Sequence, residues 1–419
     1  MDADVDLASV GLALPEILLP APGVDLARWA VIACDQYTSE PEYWKAADQR
    51  VGPAPSALRL ILPEVWLGAP DESERVTAIH AAMRGYLERG VFAPPVRGFV
   101  VVDRSTPHVR SRLGLLVALD LDRYEWRAGA RALARATEAT VEERLPPRMR
   151  VREGALLELP HVLVLIDDPE RTAIEPVARA AMRRPPLYDT PLLPGAGRVR
   201  GFGVTDSSEI DGVARALARL VDPRAPFLYA VGDGNHSLAA AKQIWERRKG
   251  ALSPAERERD PARFALVELV NVHDPGLRFE PIHRLVFGAE PEALAADLAR
   301  LAPAGPAAHA LRWTAGGREG ELALPGPRDS LALAVFQTAV DAWLAAHPGA
   351  RIDYIHGGEA LQRLAEPAGR VGVFMPAFPR DRLFPTVARD GALPRKTFSL
   401  GEAEEKRFYL EARRIRGGP

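Results

Sequence analysis

Several features that mark other classes of protein are scarce in this chain. Its 419 residues include one cysteine, Cys34, which excludes an internal disulfide framework and a zinc site built from several cysteines. No apolar run reaches the length of a membrane-spanning helix, and the first residues, Met-Asp-Ala-Asp-Val-Asp, are acidic where a secretory signal is basic. We therefore expect a cytoplasmic protein with no membrane partner.

An excess of charge of one sign is also missing. Lysine and arginine number 54 against 56 aspartate and glutamate residues, which gives a formal net charge of −2. A protein that coats nucleic acid is usually basic, so this balance disfavours a nucleic-acid partner. The 47% hydrophobic and 26% charged content is typical of a globular protein with an ordinary core.

Three catalytic or nucleotide-binding motifs are absent from the sequence as well. There is no G-x-S-x-G nucleophile turn and no H-E-x-x-H zinc helix, which disfavours those hydrolases. The P-loop pattern G-x-x-x-x-G-K-[ST] is missing too. Any nucleotide site must therefore be built in another way.

The most informative segment that is present runs from Phe227 to Trp245. An apolar β-type run leads into Gly-Asp-Gly-Asn-His-Ser at 232–237, and a helical pattern follows at once. Gly232 and Gly234 let the backbone approach a ligand, and the amides of the first helical turn point towards it. The turn also supplies four polar side chains, those of Asp233, Asn235, His236 and Ser237. This pattern indicates a phosphate site, although Asp233 or Asn235 could instead cap the helix.

A second candidate site follows a short predicted strand that ends at Asp35. The side chains of Gln36, Tyr37 and Thr38 come next, just before a predicted helix, which is where α/β proteins place ligands. Asp35 could act as a general base or hold a metal ion, and its neighbours could bind substrate. The alternative is that these groups cap the helix. Cys34 is interpreted as a small core residue.

Residues 130–145 are predicted to form a helix that Pro146 ends. This helix would carry Arg135, which can bind phosphate or carboxylate through paired hydrogen bonds, and Glu138, which could contact substrate. The alternative is a solvated helix face.

Further candidates lie at predicted strand ends and near the C-terminus. His273 could bind substrate, while Arg284 and Lys396 could neutralise phosphate charge. Asp167 and Asp168 could hold Mg²⁺ or cap the next helix. Scattered histidines are usually satisfied hydrogen-bonders, and a solvated basic turn is the alternative for Lys396.

Helical and strand patterns mix along the chain rather than alternate. We therefore predict an α+β (mixed α/β) fold with mixed sheets and flanking helices. The proline-rich segments 185–194 and 302–307 suggest three regions, either consecutive or interleaved: 1–190, 191–300 with the glycine turn, and 301–419.

Motifs along most of the chain resemble a bacterial family, domain of unknown function 1015. The segments that carry this resemblance are Trp29–Trp44, Arg135–Glu138, Asp233–Ser237, His273–Gly276, His283–Arg284 and Pro394–Ser399. The glycine turn is also similar to the Asp-Gly-His-His-Arg turn of ParB/sulfiredoxin-type free-serine kinases, which holds nucleotide phosphates.

Asp233, Gly234 and His236 match that turn, whereas Asn235 replaces its first histidine and Ser237 its arginine. Arg135, Arg284 or Lys396 could supply the missing cation only if the fold brings one of them close to the turn.

Taken together, the turn and the resemblance predict a nucleotide-dependent phosphotransferase that acts on a hydroxylated metabolite and uses ATP or ADP with Mg²⁺. Asp233 or Asp35 would be the base or the Mg²⁺ ligand, and His236 would donate to a phosphoryl oxygen. The alternative is a regulatory protein that binds a nucleotide or metabolite without catalysis, because the turn lacks its own lysine or arginine.

Overall fold

The computed structural model describes residues 6–127 and 129–416. The helices are α1 Leu26–Trp29, α2 Pro41–Val51, α3 Glu72–Glu88, α4 Leu145–Glu153, α5 Ile174–Ala181, α6 Ser207–Leu220, α7 Asn235–Lys249, α8 Pro254–Arg259, α9 Pro291–Leu301, α10 Ala332–Ala346, α11 Gly358–Leu364 and α12 Leu383–Asp390. Across these residues, none of the helices combines the length and the apolar character needed to cross a membrane.

The strands are β1 Leu12–Ala13, β2 Glu16–Ile17, β3 Val31–Ile32, β4 Val96–Arg97, β5 Phe99–Ser105, β6 Arg112–Asp120, β7 Tyr124–Glu125, β8 Ala134–Ala136, β9 Leu157–Glu158, β10 Leu163–Ile166, β11 Tyr188–Leu192, β12 Gly197–Val204, β13 Tyr229–Asp233, β14 Phe264–Asn271, β15 Phe279–Phe287, β16 Ala307–Ala315, β17 Arg318–Gly326, β18 Arg351–His356, β19 Arg370–Phe374, β20 Phe398–Leu400, β21 Phe408–Tyr409 and β22 Arg413–Arg414. The fold is mixed α/β, as the sequence predicted.

The chain divides into two compact units. The first unit holds the residues up to Leu277 together with the segment from Ala403, and the second unit holds Arg278–Glu402. This division differs from the three predicted regions, because the predicted boundary at 190 falls inside β11. That strand lies at the edge of a sheet, where Pro191 can be accommodated without breaking a ladder.

The first unit is built on a large mixed sheet in the order β11-β12-β5-β6-β14-β10-β13-β8-β7. Its central strands are buried on both faces, since successive residues enter different apolar clusters. Phe99 and Val101 of β5 face one cluster, while Val100 and Val102 face the other. Burial on both faces explains why these strands are continuous apolar runs in the sequence.

The part of the sheet that carries the glycine turn has parallel and antiparallel neighbours. Strand β13 is antiparallel to β10 and parallel to β8. The C-terminal segment returns to this unit, with β21 on β3 and β22 on β9. Residues 403–416 therefore reach the N-terminal half of the chain.

The predicted helix over 130–145 is wrong. Residues Ala134–Ala136 form strand β8, and α4 begins at Leu145 with Pro146 and Pro147 in its first turn. Proline needs no amide hydrogen in a first helical turn, so these prolines start a helix instead of ending one.

The second unit has an antiparallel sheet in the order β17-β16-β19-β15-β18, with β20 also paired to β15. Helices α9 and α10 pack on it through a cluster that includes Leu298, Phe336 and Val340.

Candidate functional site

The glycine turn has the predicted strand–turn–helix form. Strand β13 ends at Asp233, Gly234 follows with φ 78°, and α7 begins at Asn235. A Cβ atom on Gly234 would lie 3.0 Å from the Cα atom of Val162. Both the left-handed backbone and this close approach therefore require glycine. We call residues Gly232–Ser237 the α7 turn.

Asp233 does not cap α7. One carboxylate oxygen accepts from its neighbour's amide, Gly234 N–H, at 2.9 Å. The other pairs with Lys406 Nζ at 2.9 Å. Burial raises the pKa of Asp233, but the Lys406 ammonium and the neighbouring His161 outweigh burial and lower it.

The first turn of α7 differs from that of α6 in its capping. Among the residues that the structure describes, no side chain forms a capping hydrogen bond there. By contrast, Asp206 caps α6 by accepting from Ser208 N–H and Glu209 N–H. The first turn of α7 also holds no acidic side chain. Amide hydrogens and the helix dipole therefore favour an anion at this end.

A chain of hydrogen bonds orients Ser237 in this turn. Cys34 N–H donates to the Tyr409 hydroxyl at 3.2 Å, and the Tyr409 oxygen lies 2.8 Å from His161 Nδ1. His161 Nε2 lies 2.9 Å from Ser237 Oγ. In the tautomer with its proton on Nε2, the ring accepts from Tyr409 and donates to Ser237, which leaves the Ser237 hydroxyl able to donate to a ligand. We call these four groups the Ser237 relay.

Asn235 and His236 have further contacts. The side-chain amide of Asn235 donates to Val231 O at 3.3 Å, and its Oδ1 is buried with no hydrogen-bond partner in the described part of the chain. His236 Nε2 accepts from Val141 N–H at 3.3 Å. A ring nitrogen that accepts leaves Nδ1 as the donor of this imidazole.

A cavity of about 140 Å³ adjoins Ser237 and His161. It also meets Glu64, whose carboxylate accepts from Arg148 Nε at 2.8 Å. Burial raises the pKa of Glu64, with Arg148 opposing the rise and Asp35 adding to it. Asp35 and His161 of the Ser237 relay therefore both lie close enough to Glu64 for their charges to affect its pKa.

The predicted substrate segment follows β3. Gln36 Nε2 donates to Asp35 Oδ1 at 3.0 Å. Tyr37 has φ 52°, an uncommon conformation for a side-chain-bearing residue, and its ring stacks on Tyr43 with centroids 3.9 Å apart. Thr38 is exposed. Burial raises the pKa of the Cys34 thiol, and the Asp35 charge adds to this effect, so Cys34 is a poor nucleophile.

Arg135 lies on β8 beside β13, not on a helix. Its Nε donates to Ala132 O at 3.0 Å, and Nη2 donates to Pro226 O at 3.2 Å. These contacts tie β8 to the segment that leads into β13. Glu138 follows β8 and is half-buried.

His273 lies at the end of β14, where its Nε2 contacts Asp167 Oδ1 at 2.7 Å. The neighbouring Asp168 accepts from Thr172 N–H at 2.7 Å and from Ala173 N–H at 2.8 Å. Asp168 therefore stabilises the turn that precedes α5, whose own N-cap residue, Ala173, makes no side-chain capping hydrogen bond.

Arg284 and Lys396 belong to the second unit. Arg284 is fully buried, and its Nη2 donates to the main-chain carbonyl of Lys396 at 3.1 Å. Its guanidinium also lies over the Tyr354 ring, 4.6 Å from the centroid. Arg284 thus positions the segment that carries Lys396.

Several residues of the site were missed by sequence reasoning. They are Glu64, Arg148, His161, Lys406 and Tyr409. None of them stands in a recognisable motif, and Lys406 is far from Asp233 in sequence. The pairing of β21 with β3 and of β22 with β9 brings this C-terminal segment back to the first unit.

The Asp233–Lys406 pair has a consequence for stability. Because folding lowers the pKa of Asp233, the pair stabilises the fold above the unfolded-state pKa of about 3.9, and this stability is lost as the pH falls through the folded-state pKa. We expect Asp233→Asn to lower the free energy of unfolding at pH 6 and to differ less from wild type as the pH approaches 3. Urea unfolding over this range tests this, with exposed Asp211→Asn as the control; a pH-independent difference would contradict it.

A comparison with known protein families shows which family this chain belongs to. Residues 18–343 match the model of the family described as "Protein of unknown function (DUF1015)". The chain belongs to this family. No curated protein sequence matches it.

Solved structures resemble this DUF1015 protein only distantly. A conserved hypothetical protein from Pyrococcus furiosus is 13% identical with a TM-score of 0.34, and the match covers 71% of this chain and 90% of that one. A free serine kinase mutant in complex with AMP is 11% identical at a TM-score of 0.38, with 72% and 91% covered. SbnI from Staphylococcus aureus, truncated at its C-terminus, is 10% identical at 0.36, with 71% and 87% covered. Likeness at this level supports neither a shared ligand nor a shared activity.

Proposed function

We propose that this DUF1015 protein is a nucleotide-dependent phosphotransferase that acts on a hydroxylated metabolite and binds nucleotide phosphates at the α7 turn. The observation that supports this most is the first turn of α7, where Gly234 brings the backbone close and the Ser237 relay adds a hydroxyl donor. Amide hydrogens, helix dipole and hydroxyl all favour an anion at the same point.

Lys406 supplies the cation that the sequence of the turn lacks. Its ammonium is held by Asp233 at 2.9 Å, so it is fixed at the turn before any ligand arrives. A cation that is already positioned stabilises developing negative charge without reorganisation. Arg135 is not part of the proposed phosphate site, because its guanidinium is used by two main-chain carbonyls.

The base in this proposal is Asp35. The substrate oxygen attacks the terminal phosphorus of the nucleotide, its proton passes to the Asp35 carboxylate, and the bond from phosphorus to the bridging oxygen breaks. Asp233 is less suited to this step, because its pairing with Lys406 lowers its pKa. Asp233 instead holds the cation.

A magnesium ion would fit this site only together with nucleotide. Among the described residues, no group of three His, Cys, Asp or Glu side chains is arranged to hold a metal ion. Mg²⁺ is usually bound through one or two carboxylates plus substrate phosphates. The phosphates of the nucleotide would therefore supply most of its ligands, and the ion would neutralise their charge.

Replacing Ser237 by alanine tests the phosphate position. Hydrogen bonds to charged groups contribute about 1.5–3 kcal/mol, so we expect the affinity for ADP or ATP to fall by about 10- to 100-fold. Titration calorimetry with and without Mg²⁺ measures the change. Ser207→Ala, at the exposed start of α6, is the matched control. Unchanged affinity in Ser237→Ala would remove the α7 turn as the phosphate site.

The alternative is a regulatory protein that binds nucleotide without turnover. The engagement of Asp233 with Lys406 favours it, because this carboxylate is not poised as a base. Saturable ADP binding with no phosphate transfer to any hydroxylated compound in a broad panel would support this alternative and reject phosphotransfer.

A further inference from the structure

The cavity beside Ser237 has a wall of unusual composition for a phosphate-handling site. Aliphatic side chains make up most of it, among them Leu60, Leu62, Met83, Leu157 and Leu266. The small residues Ala240 and Ala241 of α7 complete it on the helix side. A wall of this kind favours apolar atoms over a charged or strongly hydrated group.

Charged side chains of this wall are already paired with one another. Arg148 pairs with Glu64, and Arg152 Nη2 lies 2.6 Å from Glu158 Oε2. A ligand with its own ammonium or carboxylate deep in the cavity would therefore lack a partner, which is costly in an apolar site. This argues against an amino acid or a sugar as the occupant.

Ser237 joins the cavity to the α7 turn, because it lines the first and belongs to the second. A hydroxyl near Ser237 Oγ would therefore lie next to the proposed phosphate site. An apolar body attached to that hydroxyl would extend into the cavity.

The volume of the cavity sets the size of this body. It measures about 140 Å³, and an engineered apolar cavity of ~150 Å³ in another protein binds benzene. A single six-membered ring or a branched chain of similar size fits this space. A nucleoside, with its purine and ribose, does not.

We propose that the cavity binds the apolar body of the phosphate acceptor, which is an alcohol carrying one six-membered ring or a comparable branched chain. The role of the hydroxyl as acceptor rests on the proposed phosphotransferase function. The binding of the apolar body does not, since it depends only on the cavity.

Benzyl alcohol is the probe for this proposal. Ligand-detected NMR on the full chain without nucleotide measures its binding, with glycerol, L-serine and adenosine as comparison compounds. We expect benzyl alcohol to bind and the other three not to enter the cavity. No binding of benzyl alcohol, or its displacement by adenosine, would overturn the proposal.

Ala241→Leu should fill part of the cavity and weaken benzyl alcohol binding by at least about tenfold, since one good apolar contact is enough for such a change. Ala81→Leu, on the exposed face of α3, is the matched control. Equal binding by wild type and Ala241→Leu would overturn the proposal.

A second variant tests the proposal if Ala241→Leu does not fold. Met83→Ala enlarges the cavity, so we expect stronger binding of 2-naphthalenemethanol relative to benzyl alcohol than in wild type. An unchanged ratio would count against the cavity as the binding site.

The two proposals fail separately. If benzyl alcohol binds and no nucleotide does, the proposed phosphotransferase function is rejected and the proposed apolar site is supported. If ADP binds at the α7 turn and benzyl alcohol does not bind at all, the acceptor class is wrong and the phosphate site stands.

Discussion

Arg407→Ala is expected to lower the free energy of unfolding by about 3–5 kcal/mol, the usual cost of leaving buried charge without its partner. The Arg407 side chain pairs with both Glu268 and Glu411, and all three residues are almost fully buried. Its Nε also donates to Pro160 O at 2.7 Å. Removing the guanidinium leaves two buried carboxylates uncompensated.

This variant matters for the site because Arg407 adjoins Lys406 in the C-terminal segment. Loss of Arg407 should therefore loosen the segment that also carries Tyr409 of the Ser237 relay. Urea unfolding measures the change, and Arg198→Ala, which breaks the exposed pair with Asp189, should have a far smaller effect. A loss as small as that of the control would show that Arg407 does not anchor the segment.

Gly234→Ala is expected to lower the affinity for nucleotide by about 10- to 100-fold, the effect of losing hydrogen bonds to a charged group worth about 1.5–3 kcal/mol. The left-handed backbone at φ 78° costs an alanine roughly 1–2 kcal/mol. The added Cβ would also meet the backbone of Val162 at 3.0 Å. The turn must shift to relieve both, and its amide hydrogens shift with it.

Gly90→Ala is the matched control for this variant. Gly90 has φ 67° and open space around its Cα atom. An alanine there has the same unfavourable left-handed backbone, but its Cβ atom meets no neighbouring atom. We expect similar modest losses of stability in both variants but loss of nucleotide affinity in Gly234→Ala alone. Equal affinities in the two variants would mean that the shape of the α7 turn does not matter for binding.

The sequence predicted the α7 turn well because its signals are local. An apolar run, two glycines and a helical pattern lie within twenty residues, and β13, Gly234 and α7 follow from them. The same kind of reasoning failed at Ala134–Ala136, where helix-forming residues became a strand. Pairing with β7 and β13 overrides local helix propensity there.

The chemistry around the turn was less accessible to prediction. No sequence motif marks His161, and its contacts with Ser237 and Tyr409 depend on three segments that are distant in sequence. In the proposed site, Lys406 takes the role that the sequence assigned to Arg135, Arg284 or Lys396. One sequence specifies which groups are present, but the sheet topology decides which of them meet.

Amide NMR of the α7 turn tests the central claim most directly. In protein labelled for detection of the backbone amides, addition of ADP with Mg²⁺ should shift the resonances of Asn235, His236 and Ser237 more than those of residues outside the turn, and Ser237→Ala should weaken the response. Saturating ADP that leaves these three amides unshifted would contradict the assignment of the α7 turn as a phosphate site.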